Sequence, residues 1–78
     1  MAILYVLIKC RTGNEKSVKD SIMKVDAVDR VDIVTGEFDL IIRLRAESTG
    51  KLQTIVLGKI RNIPNIIQTV SLPVIEIT

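Results

Sequence analysis

The run Ile3-Leu4-Tyr5-Val6-Leu7-Ile8-Lys9-Cys10 restricts the fold most, because its apolar side chains fall on both alternate faces. Ile3, Tyr5 and Leu7 share one face of an extended chain, and Leu4, Val6 and Ile8 share the other. A β-branched-rich segment of this kind reads as a central strand that needs cover on both sides. Helices of the same chain can cover one side. Ile, Val and Leu make up 29 of 78 residues, a heavy apolar load for a body near the lower size at which a single core folds unaided. Part of that area is therefore expected to lie in an interface with another chain.

After this strand, Thr12 and Glu15 stand at capping-box spacing, and Val18, Ile22 and Val25 recur at helical intervals among charged residues. A short amphipathic helix over residues 14–24 is expected. Val31, Ile33 and Thr35 then alternate with Arg30, Asp32 and Val34, the period of a strand with one wetter face and an edge position. The turn Val34-Thr35-Gly36-Glu37-Phe38-Asp39 follows, with a glycine free to adopt positive φ and two carboxylates. Read alone, this turn is a plain hairpin connection.

Beyond it, Leu40, Ile42, Leu44 and Ala46 alternate with Ile41, Arg43 and Arg45, a two-faced strand. Glu47-Ser48-Thr49-Gly50 supplies cap candidates for a second helix. Leu52, Ile55, Val56, Ile60 and Ile63 mark its buried face until Asn62 to Pro64 stop it. Gly58 weakens that helix by about 1 kcal/mol relative to alanine, which suggests a close packing contact there. Residues 66–77 form a last strand in which Pro73 breaks the ladder and implies an edge or a bulge. The order is β-α-β, turn, β-α-β: an α+β, ferredoxin-like βαββαβ fold of one domain over residues 1–78. Its four antiparallel strands carry two helices on one face. The open face is best covered by a second copy in a two-fold dimeric α/β sandwich.

Several function classes find no support. The net charge is +2 with both signs interspersed, so no basic stripe argues for nucleic acid. Tyr5 and Phe38 are the only aromatic residues, too few for base stacking. The sequence has no His, and its one Cys lies inside an apolar strand, so histidine acid-base chemistry, nucleophilic triads and Cys/His metal sites are not expected. Glu37 and Asp39 lack a recognised second component that would make them a catalytic pair. No enzyme activity, cofactor or metal is expected. The longest apolar run is too short to span a bilayer and has no signal-peptide pattern, so a cytoplasmic protein is expected, with no intrachain disulfide.

The opening strand, the stretch Val34-Thr35-Gly36-Glu37-Phe38-Asp39-Leu40 and the segment Ile63-Pro64-Asn65-Ile66 together resemble the effector-binding RAM domain (regulation of amino-acid metabolism) of Lrp/AsnC-type transcription regulators. The resemblance covers the whole chain, and the middle motif is its most specific part. The family often has Tyr where this chain has Phe38, and Gly where it has Asn65. Such regulators usually carry a helix-turn-helix domain ahead of this one, and nothing precedes Met1 here, so the chain is similar to the stand-alone form.

The resemblance implies an amino-acid effector bound where the turn meets the last strand, at contacts between dimers. It places the ligand on Thr35, Gly36, Glu37, Phe38 and Asp39 together with Thr69 and Ser71. Backbone N–H groups about Gly36 would meet the ligand carboxylate, Asp39 its ammonium, and the two hydroxyls would add further bonds. Asp39 is expected to serve the ligand and not the fold. Arg43 and Arg45 are read as a solvated or interface face. The implied partners are a homodimer, a higher oligomer of dimers and full-length Lrp/AsnC regulators, with no direct DNA binding and no membrane. A pure oligomerisation module is the alternative.

Overall fold

A computed structural model describes residues 1–75. Four strands, β1 (Ala2–Cys10), β2 (Val28–Ile33), β3 (Leu40–Ala46) and β4 (Ile66–Pro73), form one antiparallel sheet in the order β2-β3-β1-β4. Helix α1 (Glu15–Ile22) connects β1 to β2. Helix α2 (Thr49–Ile55) continues into a π-helical turn, Val56–Ile60, before β4. This is the expected βαββαβ order, with the doubly apolar strand β1 in the interior of the sheet.

Period-two alternation decides the core. Leu4, Val6, Ile8 and Cys10 of β1 and Leu40, Ile42 and Leu44 of β3 are buried under the helices, which contribute Val18, Ile22, Leu52, Val56 and Ile60. Among the described residues no polar or charged residue is buried. Each fully buried aliphatic side chain contributes roughly 1.5–3 kcal/mol. Truncating one at the middle of the sheet, such as Ile42, would cost about 2–5 kcal/mol including the cavity left behind.

The helices depart from expectation in detail. Glu15 does not close a capping box with Thr12; its carboxylate accepts from the Gly13 N–H, and Asn14 takes the N-cap position without a side-chain bond. The positive φ of Gly13 turns the chain so that helix starts at Glu15, and it ends at Ile22 where residues up to 24 were expected. The second helix starts where the cap candidates put it: the Ser48 hydroxyl accepts from the Lys51 N–H at 3.2 Å. A Cβ built at Gly58 would meet nothing within 4 Å, so the close packing expected there is absent. Asn65 adopts a φ of 75°, the left-handed conformation that asparagine tolerates better than most residues.

Pro73 lies on the edge strand β4, where its missing N–H costs little. The described part of the last strand ends at Pro73, before the expected end at residue 77. Val74 follows with its N–H on the Ile3 carbonyl, and residues 76–78 lie outside the described residues.

Candidate functional site

The turn between β2 and β3 is closed by the Val34 N–H donating to the Asp39 carbonyl at 2.8 Å. Gly36 takes a φ of 136°, outside the range that side-chain-bearing residues adopt readily. Thr35, Gly36 and Glu37 are exposed, and Phe38 and Asp39 are half-buried. Asp39 is held on three sides. Its N–H donates to the Ile8 carbonyl at 2.8 Å, its carbonyl accepts from Val34, and its carboxylate Oδ2 accepts from the Cys10 N–H at 2.9 Å. The expectation that the fold does not need Asp39 is thus corrected: its side chain binds a strand N–H just before the first residue of β3.

The Cys10 thiol beside this contact is pushed above its ordinary pKa, first by burial and then by the negative charges of Asp39 and Glu15. A thiol so placed is inert packing and not a nucleophile.

On the other side of β1, Thr69 stands opposite Ile8 and Ser71 opposite Val6. Paired residues point to the same face, so both hydroxyls face the helix side, at an edge that the helices do not fully cover. They line a cavity of about 340 Å³ with Gln53, Val56, Leu57 and Arg61. A smaller space of about 240 Å³ adjoins it along Arg61, Ile66, Ile67, Gln68 and Thr69. The π turn shapes this wall: the Arg61 N–H donates to the Val56 carbonyl, five residues back, at 2.9 Å.

The structure therefore brings Thr69 and Ser71 together, while Thr35, Gly36, Glu37, Phe38 and Asp39 line neither space. The two groups are separated by β1, since Ile8 pairs with Leu40 on one side and with Thr69 on the other. Within one chain that is roughly two inter-strand spacings of about 4.8 Å. Sequence reasoning missed Gln53, Leu57 and Arg61. Their four-residue spacing places them on one helix face, and a cation on that face beside two strand hydroxyls was the available signal.

The open sheet face carries Ile3, Tyr5 and Leu7 of β1, Ile41 of β3, and Val70 and Leu72 of β4. Tyr5 and Leu72, directly opposite one another, are 38% and 47% exposed. At the β2 edge a register shift between Val28 and Arg30 accompanies the placement of Asp29 within 3.9 Å of Arg43 and 3.8 Å of Arg45. Asp29 thus offsets part of the charge of two arginines that stand on the open face opposite Tyr5 and Ile3. Among the described residues, no cluster of His, Cys, Asp and Glu suits a metal, and no helix is long and apolar enough to cross a bilayer.

The model of the Lrp/AsnC ligand binding domain matches residues 3–78. An uncharacterized HTH-type transcriptional regulator of Pyrococcus furiosus is 36% identical over 58 residues, which are 74% of this chain and 39% of that protein. The chain thus spans well under half of the curated relative that it matches. The crystal structure of FFRP-DM1 superposes with a TM-score of 0.90 at 27% identity, covering 96% of this chain and all of that one. A Neisseria meningitidis transcriptional regulator in complex with L-Met shares the fold, with a TM-score of 0.83 at 16% identity over 96% of this chain and 50% of its own. The chain belongs to the Lrp/AsnC ligand-binding domain family, a regulatory family and not one of enzymes.

Proposed function

We propose that residues 1–78 act as one cytoplasmic effector-binding and assembly domain, which takes a small amino acid and transmits its presence to transcription or amino-acid metabolism through oligomerisation. The carrying observation is the Asp39 corner. Oδ2 accepts from the Cys10 N–H and the Cys10 thiol lies beside the same carboxylate, whose remaining lone pairs can accept from a ligand ammonium. Backbone N–H groups about Gly36 would meet the carboxylate. Thr35, Glu37 and Phe38 would border the ligand, and Thr69 and Ser71 would come from β4 of a neighbouring chain. The separation of turn and hydroxyls by β1 supports a site completed between chains. The Neisseria regulator's complex with L-Met gives the ligand class a precedent on this fold.

The partners proposed are a second copy on the open sheet face, further dimers, and full-length Lrp/AsnC regulators. Direct sequence-specific DNA binding is not expected at a net charge of +2. A thermal-shift screen against the amino acids, followed by titration calorimetry of each that raises the melting temperature, tests the reading. Saturable binding of an amino acid supports it, and no binding by any of them sinks it. The second reading, an oligomerisation module without ligand, is favoured by the turn lining neither of the two spaces along β4.

A further inference from the structure

The two edges of the sheet are built differently. β2 carries Asp29, Arg30 and Asp32 among its six residues and is kinked by the register shift between Val28 and Arg30. Charges and a bulge of this kind keep a further strand from adding there. β4 has eight residues, and none of them is charged. Its own bulge lies at one end, where Cys10 pairs with Ile66 and Lys9 with Gln68, leaving Ile67 as the extra residue. Pro73 ends the ladder at the other end. Residues 68–72 between them form a regular, uncharged edge.

The Val74 N–H donates to the Ile3 carbonyl at 3.0 Å, which fixes the direction of the backbone groups along β4. By antiparallel alternation Val70 and Leu72 turn theirs toward β1, and Thr69 and Ser71 turn theirs outward. The N–H and C=O groups of Thr69 and Ser71 are therefore a strand edge without a strand among the described residues. We infer that β4 of a second copy occupies this edge, antiparallel and centred on Val70, so that two sheets run on as one. Val70 is the middle residue of the regular stretch. That centre sets Thr69 opposite the partner's Ser71, where the two exchange both backbone hydrogen bonds, and the two-fold repeats the exchange. The side chains agree with this register. Val70 meets its own copy on the open-face side, and the Thr69 hydroxyl meets that of the partner's Ser71 on the helix side, pairings that stabilise antiparallel neighbours. Each copy has one edge unguarded by charge, so the association closes at two copies and does not grow into a fibre.

The inference deepens the assembly part of the proposed function and rests on that reading only in requiring a second copy. It involves neither Asp39 nor a bound ligand. Single cysteines introduced into the whole chain test it, read by non-reducing electrophoresis after mild oxidation. The native Cys10 is buried, and wild type is the control. Across a two-fold centred on Val70 the two Val70 Cα atoms lie about 4.5 Å apart, within reach of a disulfide. The two Gln68 positions lie roughly 13 Å apart, and sheets stacked face to face lie about 10 Å apart, both beyond that reach. Val70→Cys is therefore expected to run mostly as a linked dimer. Gln68→Cys should stay monomeric on its own and link when mixed with Leu72→Cys. Adding Ser71→Pro to Val70→Cys removes an outward N–H and should abolish the link, with circular dichroism checking the fold; should that variant fail to fold, the comparison of Val70→Cys with Gln68→Cys decides. If Val70→Cys links no more than Gln68→Cys, or if its linking is indifferent to Ser71→Pro, the inference is overturned. Linking that persists when Tyr5→Lys is added upholds the edge independently of the open face. Linking lost with Tyr5→Lys but kept with Ser71→Pro overturns the edge and leaves the open face as the assembly surface.

Discussion

The carboxylate of Asp39 accepts a hydrogen bond from the backbone N–H of Cys10 at 2.9 Å, joining the start of one interior strand to the end of the other. The contact spans 29 positions of sequence and is half-buried, so removing the acceptor leaves a strand N–H without a partner. Asp39→Ala is therefore expected to lower stability by about 1.5–3 kcal/mol, the range for hydrogen bonds to charged groups. Asp39→Asn keeps an acceptor oxygen and should lose clearly less. Urea unfolding of the three proteins measures this, and an Asp39→Ala midpoint equal to wild type would contradict the structural role. Ligand titrations of the alanine variant are interpretable only where it is fully folded.

Cys10 gives the pH dependence. Its thiol is raised above the ordinary value by burial and by Asp39 and Glu15, so the folded state holds the proton more tightly than the unfolded chain does. The stabilisation from this group is complete below the unfolded thiol's pKa and is lost as pH rises through the raised folded value. Stability should thus fall on the alkaline side, and less so in Cys10→Ala than in wild type. At pH 8 the native thiol should resist a disulfide reagent that modifies it at once in denaturant. Rapid stoichiometric labelling of the native protein would contradict the buried placement.

The two glycines at Gly36 and Gly58 should respond oppositely. Neither has an atom within 4 Å of a built Cβ, so sterics do not separate them, but Gly36 has a φ of 136° and Gly58 sits in helical backbone. Gly36→Val is expected to cost about 1–3 kcal/mol of backbone strain. Gly58→Ala is expected to gain about 0.5–1 kcal/mol, because it restricts the unfolded chain and meets open space. Thermal melts that rank the two variants the other way would show that the backbone is not the deciding factor.

How much of this was legible follows from the range of each signal. The interior position of β1 and the burial of Leu40, Ile42 and Leu44 follow from period-two alternation, and the Ser48 cap and the edge position of Pro73 follow from local chemistry. The π turn was hidden because Leu52, Val56 and Ile60 are spaced by four, which reads equally well in an α-helix. Gln53, Leu57 and Arg61, outside the apolar pattern of that helix, were given no role, and so the cavity was missed. The Asp39–Cys10 bond was unreadable for another reason: partners 29 residues apart leave no local pattern. Within the expected site, the shared face of Thr69 and Ser71 was legible from their spacing. Their separation from the turn depends on strand order, which spacing does not encode.

The last prediction concerns the open sheet face. Tyr5 and Leu72 sit side chain to side chain at its surface, flanked by Leu7 and Val70, and both remain substantially exposed in a single chain. If this face is where two copies meet, a lysine there places an ammonium in an apolar contact, where burial without a partner costs several kcal/mol. The isolated chain has no such objection, since the substituted side chain would stay in water. Tyr5→Lys and Leu72→Lys should therefore leave the circular dichroism spectrum unchanged while converting a dimeric mass to a monomeric one by light scattering at micromolar concentration. The wild-type melting temperature should fall on dilution, and that of the variants should not, because only an associating protein is stabilised by its own concentration. A monomeric wild type, or a dimer indifferent to both lysines, would remove the open face as the assembly surface.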